Sequence, residues 1–476
     1  MNGRAQGFEV MARRIVSRRF DEWAAQVAST GFRARPIRII GSADRFNTST
    51  GELVGSMHTQ DLPDGVMFVR CGNRRSSECP SCSREYQGDY WHLVTAGVAG
   101  GDKGVPESIA SHPLVFVTLT APSFGAVHAA KKPGSASAAC HPRSRSRFCV
   151  HGTVVSCTRV HSIDDPEVGS PLCGKCYDYA GHVVWQWYAS ELWRRFTISL
   201  SRALAKHFGL SENAARKVVR LQYAKVAEYQ RRGAIHFHAL IRLDGAATEE
   251  DAFPTPPVPL TSAGLAALVP DVARSVRVIA PGVDDHDSAR ALRFGVQVDA
   301  RPVRHSALEN GGEISPRMVA GYLAKYVTKA AADAEPDDRS RHFGLIRDCA
   351  RGLAQRACVS EGLESPYLLL AKWSRALGFR GHVGSKSRRF STTMGRLREA
   401  RRRFQRRQSL QTTGPVAELS HEDELDESTT VTLNSFVYAG SGWLTTADAD
   451  LAAEAAAAAR EWQVARAHRR HTPASS

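Results

Sequence analysis

The pattern of apolar and polar positions predicts a chain that mixes strands and helices. The run LVFVTLT at 114–120 is short, apolar and rich in β-branched residues, which is typical of a buried strand. Two more strands are predicted at 222–229 and 235–243. Apolar residues recur at helical spacing in four segments: 20–27, from Trp185 to Gly209, 316–332 and 447–468. This order of elements indicates the α+β class.

Two stretches interrupt the regular pattern. Residues 253–270 hold five prolines and scattered small residues, which predicts a surface loop or linker. Residues 418–430 are acidic and polar and predict a flexible break before the Ala-rich C-terminal helix.

The segment GAIHFHALIRL places two histidines on one face of a predicted strand. Side chains alternate along a strand, so His236 and His238 project together while the apolar residues between them face the other way. The preceding RRG is predicted to be a three-residue hairpin turn, with Gly233 at positive φ. That register sets Glu228 directly across from His236. Two imidazoles and a carboxylate make a partial site for Mg²⁺ or Mn²⁺; the alternative is a surface-facing pair on an edge strand.

Two tyrosines lie one helical turn apart in SPRMVAGYLAKYVTKAA. Tyr322 and Tyr326 share one face of the predicted helix, and Lys325 and Lys329 share the adjacent face. A phenol can attack a phosphodiester, but its pKa of about 10 makes it a weak nucleophile unless a metal ion or nearby lysines assist it. The alternative is that the tyrosines belong to an apolar stripe that packs in the core.

Ten cysteines are present, and two pairs have the CxxC spacing of zinc knuckles. These pairs are Cys79 with Cys82 and Cys173 with Cys176. Cysteines upstream of each pair complete the predicted structural zinc set: Cys71, Cys149 and Cys157. Further possible ligands are Cys140, His141, His151 and His161. The set fits one or two zinc sites, or buried reduced cysteines, and Cys349 and Cys358 are predicted to be core residues of a helix.

The formal net charge is +15, and much of the excess is concentrated at 380–407, where eleven Arg or Lys accompany one acid, Glu399. Such a local field suits nucleic acid, although a solvated basic helix or a disordered arm would have the same composition. The residues predicted to contact DNA are Lys386, Arg388, Arg389, Arg396, Arg398, Arg401, Arg402 and Arg403.

No apolar run approaches the length of a membrane span, and the N-terminal residues lack the apolar stretch of a signal peptide. We therefore expect a cytoplasmic protein with no membrane partner, in a reducing compartment where CxxC pairs bind metal rather than form disulfides. The segment GFRGHVGSKS lacks the ending of a phosphate-binding loop, so no ATPase is predicted.

The order of a Thr-rich strand, a His-hydrophobic-His strand and a tyrosine-bearing helix resembles the three motifs of HUH-family rolling-circle replication initiators. The chain is similar to the initiators of actinobacterial plasmids and integrative conjugative elements through the phrases CPSCSREY, PLCGKCYDYAGHVVW, RGAIHFHALIRL, AGYLAKYVTKA and LGFRGHVGSKSRRFS. The resemblance implies an HUH endonuclease domain, of the α+β class, with a central antiparallel sheet flanked by helices. A Cys-rich zinc-binding module and a basic helical C-terminal region would accompany it.

The resemblance also implies roles for individual residues. Tyr326 would cut the origin strand, hold its 5′-phosphate and leave a 3′-hydroxyl primer, and Tyr322 would take the second transfer or assist the first. His236 and His238 would bind the divalent ion, with Glu228 as the third ligand, a position at which family members differ. Lys325 or Lys329 would steady the phosphate. The first-motif residues Thr118 and Thr120 would support the site from below, and a host helicase and polymerase would be needed.

Five segments are predicted on this basis. They are an N-terminal region of unknown function (1–65), the zinc module with the first-motif strand (66–185), the HUH core (186–335, with 114–120), a basic helical DNA-binding region (336–415), and an acidic linker with the last helix (416–476). Two other functions fit the motifs. One is a two-tyrosine single-strand transposase, and the other is a non-catalytic zinc-dependent DNA-binding regulator.

Overall fold

The computed structural model describes residues 2–130, 139–143, 145, 147–257, 259–303, 316–333, 341–412 and 430–471. In these ranges the helices are α1 (Asn2–Ile15), α2 (Phe20–Ser29), α3 (Pro80–Ala99), α4 (Tyr179–His207), α5 (Glu212–Val218), α6 (Ser262–Ser275), α7 (Pro316–Asp333), α8 (Arg341–Glu361), α9 (Met394–Thr412) and α10 (Thr446–His471). The strands are β1 (Ile37–Ile40), β2 (Ser42–Asn47), β3 (Leu53–His58), β4 (Met67–Val69), β5 (Leu114–Thr120), β6 (Val219–Tyr229), β7 (Ile235–Gly245), β8 (Val278–Ala280), β9 (Arg290–Leu292), β10 (Val298–Pro302), β11 (Gly384–Lys386), β12 (Thr430–Asn434) and β13 (Val437–Ser441).

The chain forms two compact units. The first combines Met1–Tyr86 with Gly395–Ser476, and the second is Gln87–Met394. In the first unit, β1 pairs with β13 and β4, and β2 pairs with β12 and β3, always antiparallel. A small aromatic core, with the rings of Trp23 and Phe68 against that of Trp443, stabilises this unit. The boundaries of these two compact units differ from those of the five segments that were predicted by function. The functional segments therefore remain predictions.

The second unit is built on a five-stranded antiparallel sheet with the order β10-β5-β7-β6-β11. The central strand β7 is paired along its length with β5 on one side and β6 on the other. The expected α+β class and the central antiparallel sheet are confirmed.

One face of this sheet carries the main hydrophobic core. Helices α4, α6 and α8 supply core side chains that pack with those of the strands. Trp193 of α4 contacts Phe237 of β7, with ring centroids 5.7 Å apart. Helix α7 packs on β6, and its Tyr322 contacts His238 on the other face of the sheet. Functional side chains on that face are therefore supported from behind by a closely packed core.

Most predicted elements are confirmed. The strand at 114–120 has the predicted bounds, the two hairpin strands are a few residues longer, and the four helices are present with shifts at their ends. The prediction of a loop across 253–270 is wrong in its second half, because Thr261 caps α6 by accepting a hydrogen bond from the Gly264 amide. Cys358 is exposed, so its prediction as a core residue is also wrong, whereas Cys349 is half-buried.

The stretch between β5 and α4 is irregular. Among its described residues the backbone forms turns and isolated β-bridges but no helix or longer strand. We call residues 121–178 the insert. No helix within the described ranges combines the length and apolar character that crossing a membrane requires.

Candidate metal centre and tyrosine pair

The β6–β7 hairpin positions the first three functional side chains. Its turn closes with a hydrogen bond from the Gln230 amide to the Ala234 carbonyl, and Gly233 has a φ of 80°. This turn sets Glu228 opposite His236, as the sequence predicted. A one-residue slip of β7 against β6 would move its apolar side chains to the wrong face of the sheet, so the buried core also fixes this register.

Three ligand atoms converge on one point above the hairpin. Glu228 Oε2 lies 2.9 Å from His236 Nε2 and 3.1 Å from His238 Nε2, and the two Nε2 atoms are 3.1 Å apart. Ligand atoms at neighbouring corners of an octahedron with bonds of about 2.1 Å lie about 3.0 Å apart. The donor set therefore fits one face of an octahedral divalent ion, with the opposite positions left for water or substrate oxygens.

The electrostatics of the three groups favour metal binding. Burial alone would raise the pKa of Glu228, but hydrogen bonds with His236 and His238 outweigh burial and lower this pKa to about 2. Burial lowers the pKa of His238 and so favours its neutral form. A carboxylate beside a neutral imidazole is the protonation state in which these groups bind a cation.

Strand β5 supports the site from the neighbouring position in the sheet. Thr118 is paired across the strands with His238, and its Oγ1 lies 3.1 Å from His238 Nδ1. A hydrogen bond at Nδ1 leaves Nε2 free to face a metal ion. Thr120 instead donates to the main-chain carbonyl of Gln297, at 2.7 Å. Thr118 therefore contacts a predicted ligand directly.

Phe116 also belongs to this site, although sequence reasoning missed it. Its ring stacks on that of His238, with centroids 5.7 Å apart, and meets the Tyr322 ring edge-on at 5.8 Å. The alternation of side chains along β5 could have indicated this role, because Phe116, Thr118 and Thr120 share one face of that strand. Phe116 restricts the rotation of both rings.

Helix α7 brings the tyrosine pair to the same place. Tyr322 Oη lies 3.2 Å from His238 Nε2, and the rings of Tyr322 and Tyr326 are 4.4 Å apart. Burial, together with the nearby Tyr326 and the Glu228 charge, raises the pKa of Tyr322. Lys325 Nζ lies 5.9 Å from the centre of the Tyr326 ring. The side chain of Lys329 lies outside the described residues.

The apolar stripe of α7 is separate from the tyrosine face. Val319, Leu323 and Val327 are almost fully buried, whereas Tyr322 is 37 % exposed. Gly384 of β11 permits the close approach of the helix, because a Cβ there would meet Val327 Cγ2 at 2.5 Å. The stripe anchors the helix, and the rings of Tyr322 and Tyr326 lie 5.0 and 5.9 Å from the ring of His238.

Eight of the ten cysteines fall in three groups in the structure. In each group the ligand atoms lie within 4.8 Å of one another: Cys71 with Cys79 and Cys82; His128 with Cys140, Cys157 and His161; Cys149 with His151, Cys173 and Cys176. These groups could hold metal ions. His128 was missed by sequence reasoning because no spacing motif connects it to its partners. His141 lies beside Cys140, with Nδ1 3.1 Å from Sγ, but outside these groups.

Comparison with known proteins identifies the family. The model of the family described as "Replication initiator protein, pSAM2" matches residues 19–457. A protein described as "Replication initiator protein", from Streptomyces ambofaciens, is 40% identical over 433 residues, which cover 89% of this chain and 87% of that protein. The chain belongs to this family of replication initiator proteins. No solved structure matches.

The basic stretch of this replication initiator is only partly helical. Lys386 belongs to β11, is half-buried and donates to three main-chain carbonyls, and burial lowers its pKa to about 8. Arg401 is paired with Glu85, and Arg403 with Glu399. Six of the predicted DNA contacts are exposed: Arg388, Arg389, Arg396, Arg398, Arg402 and Arg403.

Proposed function

We propose that this replication initiator cuts one strand of origin DNA by a metal-dependent tyrosine transesterification of the HUH type and so starts rolling-circle replication. One observation carries the proposal. One carboxylate oxygen and two imidazole nitrogens form a triangle with edges of 2.9 to 3.1 Å, and one of those nitrogens, His238 Nε2, lies 3.2 Å from the Tyr322 hydroxyl, one helical turn before Tyr326. Family membership favours a role in replication over transposition by the same chemistry.

In the proposed reaction, the Tyr326 hydroxyl oxygen attacks a phosphorus atom of the origin strand. A tyrosine–phosphorus bond forms, and the bond from phosphorus to the 3′ oxygen breaks. The phenol proton is lost to solvent and the departing oxygen gains one, which leaves a 5′-phosphotyrosine and a free 3′-hydroxyl primer. Tyr322 accepts the second transfer when the copied strand is closed. The energy of the phosphodiester is retained in the tyrosyl ester.

Glu228, His236 and His238 would hold Mg²⁺ or Mn²⁺, which would polarise the phosphate and stabilise the charge that develops during attack. Thr118 would orient His238, and Phe116 would limit its rotation. Lys325 lies on the tyrosine helix and would steady a phosphate, and the same role is proposed for Lys329. Strand unwinding and copying would be performed by a host helicase and polymerase.

Two further parts of the chain complete the proposal. The exposed arginines at 388–403 would bind phosphates of origin DNA, because guanidinium groups pair with phosphate oxygens whatever the base sequence. The cysteine groups would hold zinc with a structural role. Binding of DNA through arginines should weaken steeply as salt concentration rises.

The first experiment is a covalent-adduct assay. The full chain is mixed with labelled single-stranded DNA carrying the candidate origin, with Mg²⁺, Mn²⁺ or a chelator, and run on a denaturing gel. We expect a metal-dependent adduct that disappears in Tyr326→Phe. Mass spectrometry of the nucleotide-bearing peptide identifies the attached residue. Tyr223→Phe is the matched control, because Tyr223 lies on β6 but contacts Trp193 on the core side of the sheet.

Two other outcomes of the adduct assay would change the proposal. An adduct that is lost in Tyr322→Phe and retained in Tyr326→Phe would exchange the two tyrosine roles. Salt-sensitive DNA binding without any adduct, at every metal tested, would overturn the enzyme proposal in favour of a non-catalytic DNA-binding regulator.

A further inference from the structure

The insert has almost no hydrophobic core of its own. Among its described residues from 126 to 176, the buried ones are Cys140, Cys157, His161, Gly169 and Cys173. Its larger apolar side chains are exposed, including Val150 at 95 % and Ile163 at 69 %. A segment of this length that buries so little apolar surface cannot offset the entropy lost on ordering. Something other than apolar packing must hold it in shape.

The first group of four ligands has the spacing of a tetrahedral zinc site. His128 Nδ1 lies 3.2 Å from His161 Nε2 and 3.9 Å from Cys140 Sγ, and Cys157 Sγ lies 3.4 Å from His161 Nε2. Zinc bonds of about 2.0 Å to nitrogen and 2.3 Å to sulfur, at tetrahedral angles, separate ligand atoms by about 3.3–3.8 Å. Two thiolates and two imidazoles form a closed set with no position left for substrate.

A second contact supports the assignment of this group. His161 Nδ1 lies 2.7 Å from Asp165 Oδ2. A carboxylate that accepts the Nδ1 proton leaves Nε2 for the metal, which is the usual outer contact of a zinc-bound histidine. Cys140 Sγ also accepts a hydrogen bond from the Ala129 amide, at 3.2 Å, which stabilises a thiolate. Main-chain hydrogen bonds between His141 and Cys157 hold two of the ligand-bearing segments together.

The second group also offers four zinc ligands, Cys149, His151, Cys173 and Cys176. Cys149 Sγ lies 3.6 Å from Cys173 Sγ, and His151 Nδ1 lies 3.2 Å from Cys176 Sγ. The Cys149–His151 turn is closed by a hydrogen bond from the Gly152 amide to the Cys149 carbonyl. The Cys173–Cys176 turn is closed by a similar bond from the Cys176 amide. Three thiolates and one imidazole again match a structural zinc site.

The insert also contacts the turn of the β6–β7 hairpin. Gly169 lies so close that a Cβ there would meet the Arg231 carbonyl oxygen at 2.2 Å, and Asp164 Oδ1 lies 3.3 Å from Arg231 Nη2. From the turn, Arg232 donates to the carbonyls of Ala121 and Pro122 at the start of the insert. This turn joins β6, which carries Glu228, to β7, which carries His236.

We propose that two structural zinc ions hold the insert together, one bound by His128, Cys140, Cys157 and His161 and the other by Cys149, His151, Cys173 and Cys176. The ordered insert in turn fixes the hairpin turn that sets Glu228 beside His236. The zinc sites do not depend on the proposed cutting chemistry, whereas the effect on the hairpin rests on the divalent-ion site proposed above.

The primary test is the zinc content of the purified full chain, measured by mass spectrometry of the metal. Because Cys71, Cys79 and Cys82 could add a further ion, the informative quantity is the difference from the wild type. We expect Cys157→Ser and Cys173→Ser each to lose about one zinc per chain, and the double variant about two. Cys358→Ser, an exposed cysteine of α8, is the control and should lose none.

If the cysteine variants fail to fold, a substitution outside the four ligands tests the first site. Asp165→Ala removes the outer contact of His161 and should weaken zinc binding at the first site by about 10–100-fold. Competition with a colorimetric chelator measures the affinity, and Asp164→Ala, which removes an exposed neighbouring carboxylate, should leave it unchanged. Zinc X-ray absorption should show mixed sulfur and nitrogen ligands, at about 2.3 and 2.0 Å.

The link to the hairpin is tested separately. Gly169→Ala should retain both zinc ions and weaken Mn²⁺ binding at the hairpin site, measured by the free Mn²⁺ signal in electron paramagnetic resonance. Gly209→Ala, just after α4, is the control, because its φ is also positive, at 64°, and a Cβ there meets nothing within 4 Å. Unchanged Mn²⁺ affinity in Gly169→Ala overturns the link alone. Unchanged zinc content in both cysteine variants, or a disulfide between Cys149 and Cys173 in the purified protein, overturns the zinc sites.

Discussion

In the five-stranded sheet, His236 and His238 stand on a strand that is hydrogen-bonded along both edges, and the Phe237 side chain between them is fully buried on the other face. Between residues 126 and 176 of the insert, by contrast, the buried side chains among the described residues are those of three cysteines and one histidine that would bind metal. The sheet can hold its ligand geometry without an ion, because apolar burial and the strand ladder stabilise it. The insert lacks a comparable apolar core, so in our proposal its geometry would depend on bound zinc.

The largest expected effect separates metal binding from folding in the sheet. His236→Ala should reduce DNA cutting by about 10³-fold or more, since the transition state loses the stabilisation that a bound ion provides. Circular dichroism and thermal unfolding should change little, because the core lies on the other face. His207→Ala, at the exposed end of α4, should leave cutting unchanged. A variant that loses its fold along with its activity would contradict the independence of sheet and metal.

Core truncation should affect the two regions very differently. Phe237→Ala should lower the free energy of unfolding by about 3–5 kcal/mol, since it removes a fully buried ring from the sheet. Val150→Ala, in the insert, should change it by less than about 0.5 kcal/mol because that side chain is exposed. Urea unfolding followed by tryptophan fluorescence gives both values. Equal losses would show that the insert buries an apolar core after all.

A buried lysine makes the stability of the sheet depend on pH. Burial lowers the pKa of Lys225 to about 7, and its ammonium lies 4.3 Å from the centre of the Phe237 ring. From pH 7 towards 10.5 the unfolded chain keeps a proton that the folded chain has lost, so stability should rise with pH.

The gain in wild-type stability from pH 7 to 9.5 should be at most about 3 kcal/mol, and Lys225→Met should lack it. Unfolding free energies at the two pH values test this, with Lys206→Met on the surface of α4 as the control. Parallel pH profiles for wild type and Lys225→Met would show that Lys225 keeps its proton in the folded protein.

The smallest effect concerns the positioning of one ligand. Thr118→Val keeps the shape of the side chain and removes the oxygen that contacts His238 Nδ1, so Mn²⁺ affinity should fall by about 10–100-fold. Thr120→Val is the matched control, since its hydroxyl bonds to the Gln297 main chain. Calorimetric titration with Mn²⁺ measures both. An equal fall in the two variants would indicate a general effect on β5 and not a specific contact with His238.

Much of the hairpin site follows from local sequence. Alternation along 235–243 places His236 and His238 on one face, and a three-residue turn with Gly233 at positive φ sets Glu228 opposite His236. Helical spacing likewise places Tyr322 and Tyr326 together. These relations hold wherever the elements are placed, because strand and helix periodicity are properties of the backbone. The sequence alone therefore determined two half-sites, one on the hairpin and one on the helix.

Only the tertiary structure decided how these parts meet. Packing of α7 on β6 places Tyr322 within 3.2 Å of His238, and strand pairing brings Thr118 and Phe116 to the same imidazole. In the insert, His128 and Cys140 are well separated in the chain from Cys157 and His161, so no short spacing motif connects all four ligands. Such contacts arise between segments distant in the chain, where position depends on the packing of the whole unit and not on backbone periodicity.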